Sequence, residues 1–199
     1  MENLNAIYFD VHGVVCKGRA DPQNLSTVDF HAIQTLIELC VKSQSWLVLL
    51  STGLRLWEDE ICLDFLEKIG LKTRLFMPTW KAPLFTRKGE RINSVRKGEV
   101  IDRYIIAEFE KPRETATHCR ENGIVRYAAV DDKNFTAADV HGKFVQVPFG
   151  LNSTAADEVL GVFGRRSPKR PDLFTRSNPA NTAIRSAITS DFRLPAQNL

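Results

Sequence analysis

The residues best equipped for chemistry stand where apolar runs stop. Asp10 follows the run 6–9 and is trailed by Val11, His12 and Gly13; Ser51, Thr52 and Gly53 follow the run 46–50; Asp131 and Asp132 follow 124–130. A carboxylate at the end of a buried strand is costly unless something binds it. Taken singly, each group also fits a turn or a helix cap. Together they suggest one site, because a parallel sheet carries the ends of its strands to a common edge, where open α/β sheets bind their ligands. The pair Arg96-Lys97, ahead of a helical pattern that begins near Gly98, adds cationic groups to the same edge.

Carboxylates clustered in a low-dielectric cleft stay ionised only with a cation among them. An all-oxygen set with few protein ligands favours Mg2+, which keeps waters and accepts phosphate as a co-ligand. A hydroxyl and a lysine aimed at the same point would neutralise phosphate oxygens. An aspartate poised there can act as a nucleophile.

The elements that must position these groups follow from hydrophobic period. The run 6–9 reads as a buried strand and 46–50 as another, continuous because both faces are covered. Between them, Phe30, Ile33, Ile37, Cys40 and Val41 recur at helical spacing, so a helix is expected over 28–42, capped by Ser26 or Thr27. Trp57, Ile61, Phe65, Leu66 and Ile69 mark a second helix, stopped at Gly70. A short strand is expected over 71–77, ending at Pro78. Residues 78–97 lack a clean period and hold Lys81, Arg87, Lys88, Arg91, Arg96 and Lys97 against Glu90 alone. A helix is expected from about 98, ended or kinked at Pro112, then a weaker one over 113–122. Strands over 124–130 and 144–147 and a helix capped by Ser153 or Thr154 and running through Phe163 complete the series. This alternation argues an α/β fold: a three-layer, Rossmann-like arrangement with a central parallel sheet and helices on both faces.

The 199 residues suit one domain of that class, over 1–164, with a tail over 165–199. The net charge of +3 divides unevenly, +5 in the tail and −2 in the rest. The tail reads as irregular and solvated, since it is rich in proline and poor in large apolar residues. The four cysteines form no CxxC pair and no zinc spacing with the histidines, so a reducing, cytoplasmic setting is expected. The first residues read as no signal peptide, and no apolar run is long enough for a membrane span. No GxGxxG follows the first strand, which argues against a dinucleotide enzyme.

Over roughly 6–163 the sequence resembles the haloacid dehalogenase-like superfamily of phosphohydrolases. Its motif DxDG(T/V) corresponds to Asp10-Val11-His12-Gly13-Val14, its hydroxyl-ended strand to 47–52, its helix-start base to Lys97 and its acidic pair to Asp131-Asp132. The finer pattern is similar to the small members associated with Swiss Army Knife RNA-repair proteins, through Arg55 after the second motif and Gly150-Leu151-Asn152 near the end. The resemblance implies a Mg2+-dependent phosphomonoesterase without a large cap domain. Asp10 would be nucleophile and metal ligand, and the backbone carbonyl of His12 and Asp131 or Asp132 would complete the metal site. Thr52, with Ser51 as alternate, would contact the phosphoryl group beside Gly13, Gly53 and Arg55. Lys97 would pair with Asp10, and Lys111 is its rival for that role.

One residue departs from the pattern. His12 replaces the aspartate that in the family protonates the leaving oxygen and then activates water. Three readings stay open: a histidine acid/base, a different leaving group, or an impaired enzyme that binds phosphate. Capless members take large substrates, so with the basic 78–97 segment a nucleotide or nucleic-acid end is the expected phosphate partner; a phosphoprotein or a small phosphate ester stays open beside it.

Overall fold

Alternate residues of the first strand feed two different cores. In the computed structural model, β1 (Leu4–Phe9) sends Ile7 and Phe9 to one face of the sheet and Ala6 and Tyr8 to the other, and all four are fully buried. That is the mark of a central strand covered on both sides. The structure describes residues 4–92, 108–138, 140 and 142–164.

Further elements are α1 (Phe30–Ser43), β2 (Trp46–Leu49), a short α2 (Thr52–Arg55), α3 (Asp59–Lys68) and β3 (Phe76–Lys81). A two-stranded hairpin, β4 (Leu84–Phe85) with β5 (Arg91–Ile92), follows. The chain continues through α4 (Lys111–Asn122), β6 (Ile124–Asp131), β7 (Gly142–Gln146) and α5 (Ser153–Phe163). Five strands form one parallel sheet in the order β3-β2-β1-β6-β7. Helices α1, α3 and α5 supply the larger core, around Leu36, Phe65 and Val159; α4 lies over the opposite face, where Cys119 joins Tyr8, Val48 and Tyr127. This α/β sheet with helices on both faces is the expected fold class, compatible with a Rossmann-like arrangement.

Several boundaries differ from expectation. The first helix is capped by Asp29, whose Oδ1 accepts from the amides of His31 and Ala32 at 3.1 Å each, rather than by Ser26 or Thr27. Asn152, not Ser153 or Thr154, caps α5 through the Ala155 amide. The third strand runs through Pro78 instead of stopping there, because β3 is an edge strand, where a missing N–H is tolerated. Pro112 sits in the first turn of α4, where its N–H would have had no partner. The expected helix near 98, the Arg96-Lys97 pair and the tail over 165–199 lie outside the described residues. All four cysteines are buried and none forms a disulfide. Among the described residues no helix is long and apolar enough to cross a membrane.

Candidate functional site

Strand order builds the site. β1 departs towards β2 on one side and has β6 on its other side, so the sheet changes direction between β1 and β6. Ligands of open α/β sheets bind at such a switch point, beyond the carboxyl ends of the strands. Phe9 pairs with Val130, and the Asp10 amide donates to the Val130 carbonyl at 2.9 Å. The next residue on each strand is an aspartate, so Asp10 and Asp131 stand side by side at the crevice.

Lys111, the first residue of α4, bridges them. Its Nζ donates to Asp10 Oδ2 and to Asp131 Oδ2, each at 2.6 Å, with side chains nearly or wholly buried. The Phe135 ring lies 5.7 Å from the same ammonium. The remaining oxygens are also held. Asp10 Oδ1 accepts from the Val11 amide at 2.7 Å, and Asp131 Oδ1 from the Lys133 amide at 3.0 Å.

These contacts set the protonation of the buried acids. Burial works to raise the Asp10 pKa, but the charge and hydrogen bond of Lys111, with help from Ser51 and the Val11 amide, carry it below the usual carboxylate value. Burial dominates at Asp131 and, reinforced by the charge of Asp10, pushes it up to about 6 against the pull of Lys111. Lys111 itself loses solvation on burial, yet its two carboxylate partners raise its pKa.

Asp132 completes the acidic group: one oxygen each from Asp10, Asp131 and Asp132 lies within 4.8 Å of the others. Three ionised carboxylates against one ammonium leave two negative charges in a mostly buried place. An all-oxygen donor set of that charge fits a hard divalent cation, so the cluster could hold a metal ion.

Ser51, the alternate to Thr52, places its hydroxyl against this group, with a hydrogen bond to Asp10. Ser51 is fully buried, and its Oγ lies 3.4 Å from His12 Nδ1. Thr52 Oγ1, at the start of α2, is buried with no hydrogen-bond partner among the described residues. A buried hydroxyl left so calls for a ligand or water. Gly53 stands next to the His12 ring; a Cβ there would lie 3.4 Å from His12 Cε1, at the edge of ordinary contact. Gly13 adopts φ +75°, beside Asp132.

Arg55 is drawn away from the expected substrate contact. Its guanidinium is buried and donates to Glu114 Oε2 at 2.8 Å and to the Pro83 carbonyl at 2.7 Å. Lys97 lies outside the described residues, and its rival Lys111 occupies the place between the acids. Sequence reasoning missed Glu114 entirely; nothing local marks a glutamate on a polar helix as buried. Two of the basic residues over 78–97 are engaged within the chain: Lys81 bonds Asp59 and the Trp57 carbonyl, and Arg91 pairs with Glu121.

Compared with protein-family models, with curated proteins and with solved structures, the chain matches none.

Proposed function

We propose that this protein is a phosphohydrolase of the haloacid dehalogenase-like type, acting on phosphomonoesters with Mg2+ and Asp10. The observation that carries the reading is the Lys111 ammonium shared at 2.6 Å by Asp10 and Asp131, with Asp132 beside them. Such an arrangement keeps Asp10 ionised, as a nucleophile must be. Asp10, Asp131, Asp132 and the backbone carbonyl of His12 would hold the Mg2+. When bound, the ion supplies positive charge against the phosphoryl oxygens.

In the first step a carboxylate oxygen of Asp10 bonds to phosphorus, and the ester P–O bond breaks. The leaving oxygen takes its proton from His12, whose ring is partly exposed beside Ser51. In the second step the now neutral imidazole takes a proton from water as its oxygen attacks phosphorus. The bond to Asp10 breaks, and inorganic phosphate departs. Lys111 holds Asp10 in place and offsets charge on the phosphoryl group, while the Thr52 hydroxyl has a hydrogen bond to give.

The test is turnover of an aryl phosphate with Mg2+. Wild type is expected to release phosphate and Asp10→Asn to lose that activity; equal rates in both would overturn the reading. Nucleotides and 3′- or 5′-phosphorylated oligonucleotides in the same assay test the nucleic-acid extension, which rests on the exposed Arg87 and Lys88. A second reading, a phosphate-binding protein that turns over poorly, draws on His12. It predicts that His12→Asp exceeds wild type.

A further inference from the structure

Resting on the phosphohydrolase reading, we infer that Arg55 and Glu114 are a positioning pair, which sets the Lys111 ammonium between Asp10 and Asp131. Both side chains are about 1% exposed, and Arg55 Nη2 donates to Glu114 Oε2 at 2.8 Å. Arg55 also reaches the Ser51 carbonyl at 3.4 Å, the Ala82 carbonyl at 3.1 Å and the Pro83 carbonyl at 2.7 Å. The second oxygen of Glu114 accepts from the Phe85 amide at 3.2 Å.

The two ends of this network are the two halves of the site. Ser51 is the residue whose hydroxyl lies against His12. Glu114 stands three residues after Lys111 on α4, close to one turn and so on nearly the same helix face. Lys111 reaches its acids through a long, freely rotating chain, and its place depends on where the first turn of α4 sits. The Phe85 amide of β4 holds that turn through Glu114, while the carbonyls of Ala82 and Pro83, between β3 and β4, hold Arg55. Arg55 then ties the turn to the end of β2. A planar guanidinium suits this role because it donates in several fixed directions, which an ammonium cannot match.

A buried ion pair contributes uncertainly to stability, so the test must read Lys111 itself. Arg55→Lys, Glu114→Gln and Glu114→Asp are compared with wild type by two measurements. The first is the Lys111 side-chain ammonium signal in a 15N-lysine NMR spectrum, identified by its absence in Lys111→Met. The second is kcat and KM for an aryl phosphate. The signal is expected to shift or broaden away in all three variants, with kcat falling about tenfold or more and KM changing by less than about twofold, as a misplaced group near the chemistry does. An unchanged signal and unchanged kcat in folded Glu114→Asp and Arg55→Lys would overturn the inference, even if melting temperature fell. Absence of wild-type turnover would sink the proposed activity alone; the ammonium signal then decides the positioning role.

Discussion

Gly13 and Asp132 share a space that a side chain at position 13 could not enter. A Cβ on Gly13 would lie 2.6 Å from the Asp132 Cβ and 2.7 Å from its Oδ2. Gly13 also holds φ +75°, a conformation unfavourable for other residues. The turn after β1 is thus shaped to admit the third carboxylate of the cluster. Gly13→Ala should push Asp132 away from Asp10 and Asp131. The expected result is at least about tenfold weaker binding of Mn2+ or Mg2+, taken as the loss of one strong charged contact, measured by calorimetric titration. Undiminished binding would mean that Asp132 is not part of the metal site.

Lys111→Met should leave Asp10 and Asp131 facing each other without their ammonium. Breaking a buried ion pair by removing one partner costs about 3–5 kcal/mol. The variant is therefore expected to unfold at markedly lower denaturant than wild type in EDTA. Saturating Mg2+ should raise its stability by more than it raises that of wild type, since a divalent cation can replace the missing charge. An equal gain in both proteins would count against a shared ion.

The acid with the raised pKa makes stability pH-dependent in a definite direction. Asp131 holds its proton up to about pH 6 in the folded chain, against 3.8 ordinarily. Between about pH 4 and 6 the folded state binds the extra proton, so this group lowers stability as pH rises through that window. Denaturation in EDTA across this range should show Asp131→Asn gaining on wild type as pH increases. Asp10 acts oppositely: its lowered pKa means its contribution is lost only as pH falls below 3.8.

A second buried network lies on the face of the sheet covered by α4. His118 Nε2 is 2.7 Å from the Thr79 carbonyl, which can only accept, so Nε2 carries the proton. The Tyr8 hydroxyl, 2.8 Å from Nδ1, must then donate to it, and the Cys119 thiol at 3.2 Å can donate to Tyr8. Burial holds the His118 pKa below its ordinary value despite the Thr79 bond. Tyr8→Phe would strand Nδ1 without its donor, at a cost of about 1–3 kcal/mol, readable by chemical denaturation at pH 7. Because the neutral ring is the folded form, the contribution of His118 to stability should decline as pH falls below about 6.5, and His118→Gln should flatten that decline.

Much of this was local, and therefore written in the chain. Buried strands announce themselves as unbroken apolar runs, so the places where Asp10, Ser51 and Asp131 end them could be read directly. Helical period likewise marked α1 and α3, a capping residue pointed to α5, and the alternation of elements implied a parallel sheet. What no local pattern contains is strand order. Only tertiary pairing put β6 beside β1 and so made neighbours of Asp10 and Asp131. The lysine between them was settled the same way: Lys111 meets acids 101 and 20 residues distant. Beside it, Pro112 looked like the end of a helix because a proline stops one helix and starts another with equal ease. Arg55 looked available to a substrate until the fold brought Glu114, 59 residues on, to its guanidinium. Hydrophobic period is carried by neighbours along the chain. Charge pairing in a buried cleft is decided by which distant segments the packed sheet brings within hydrogen-bond reach.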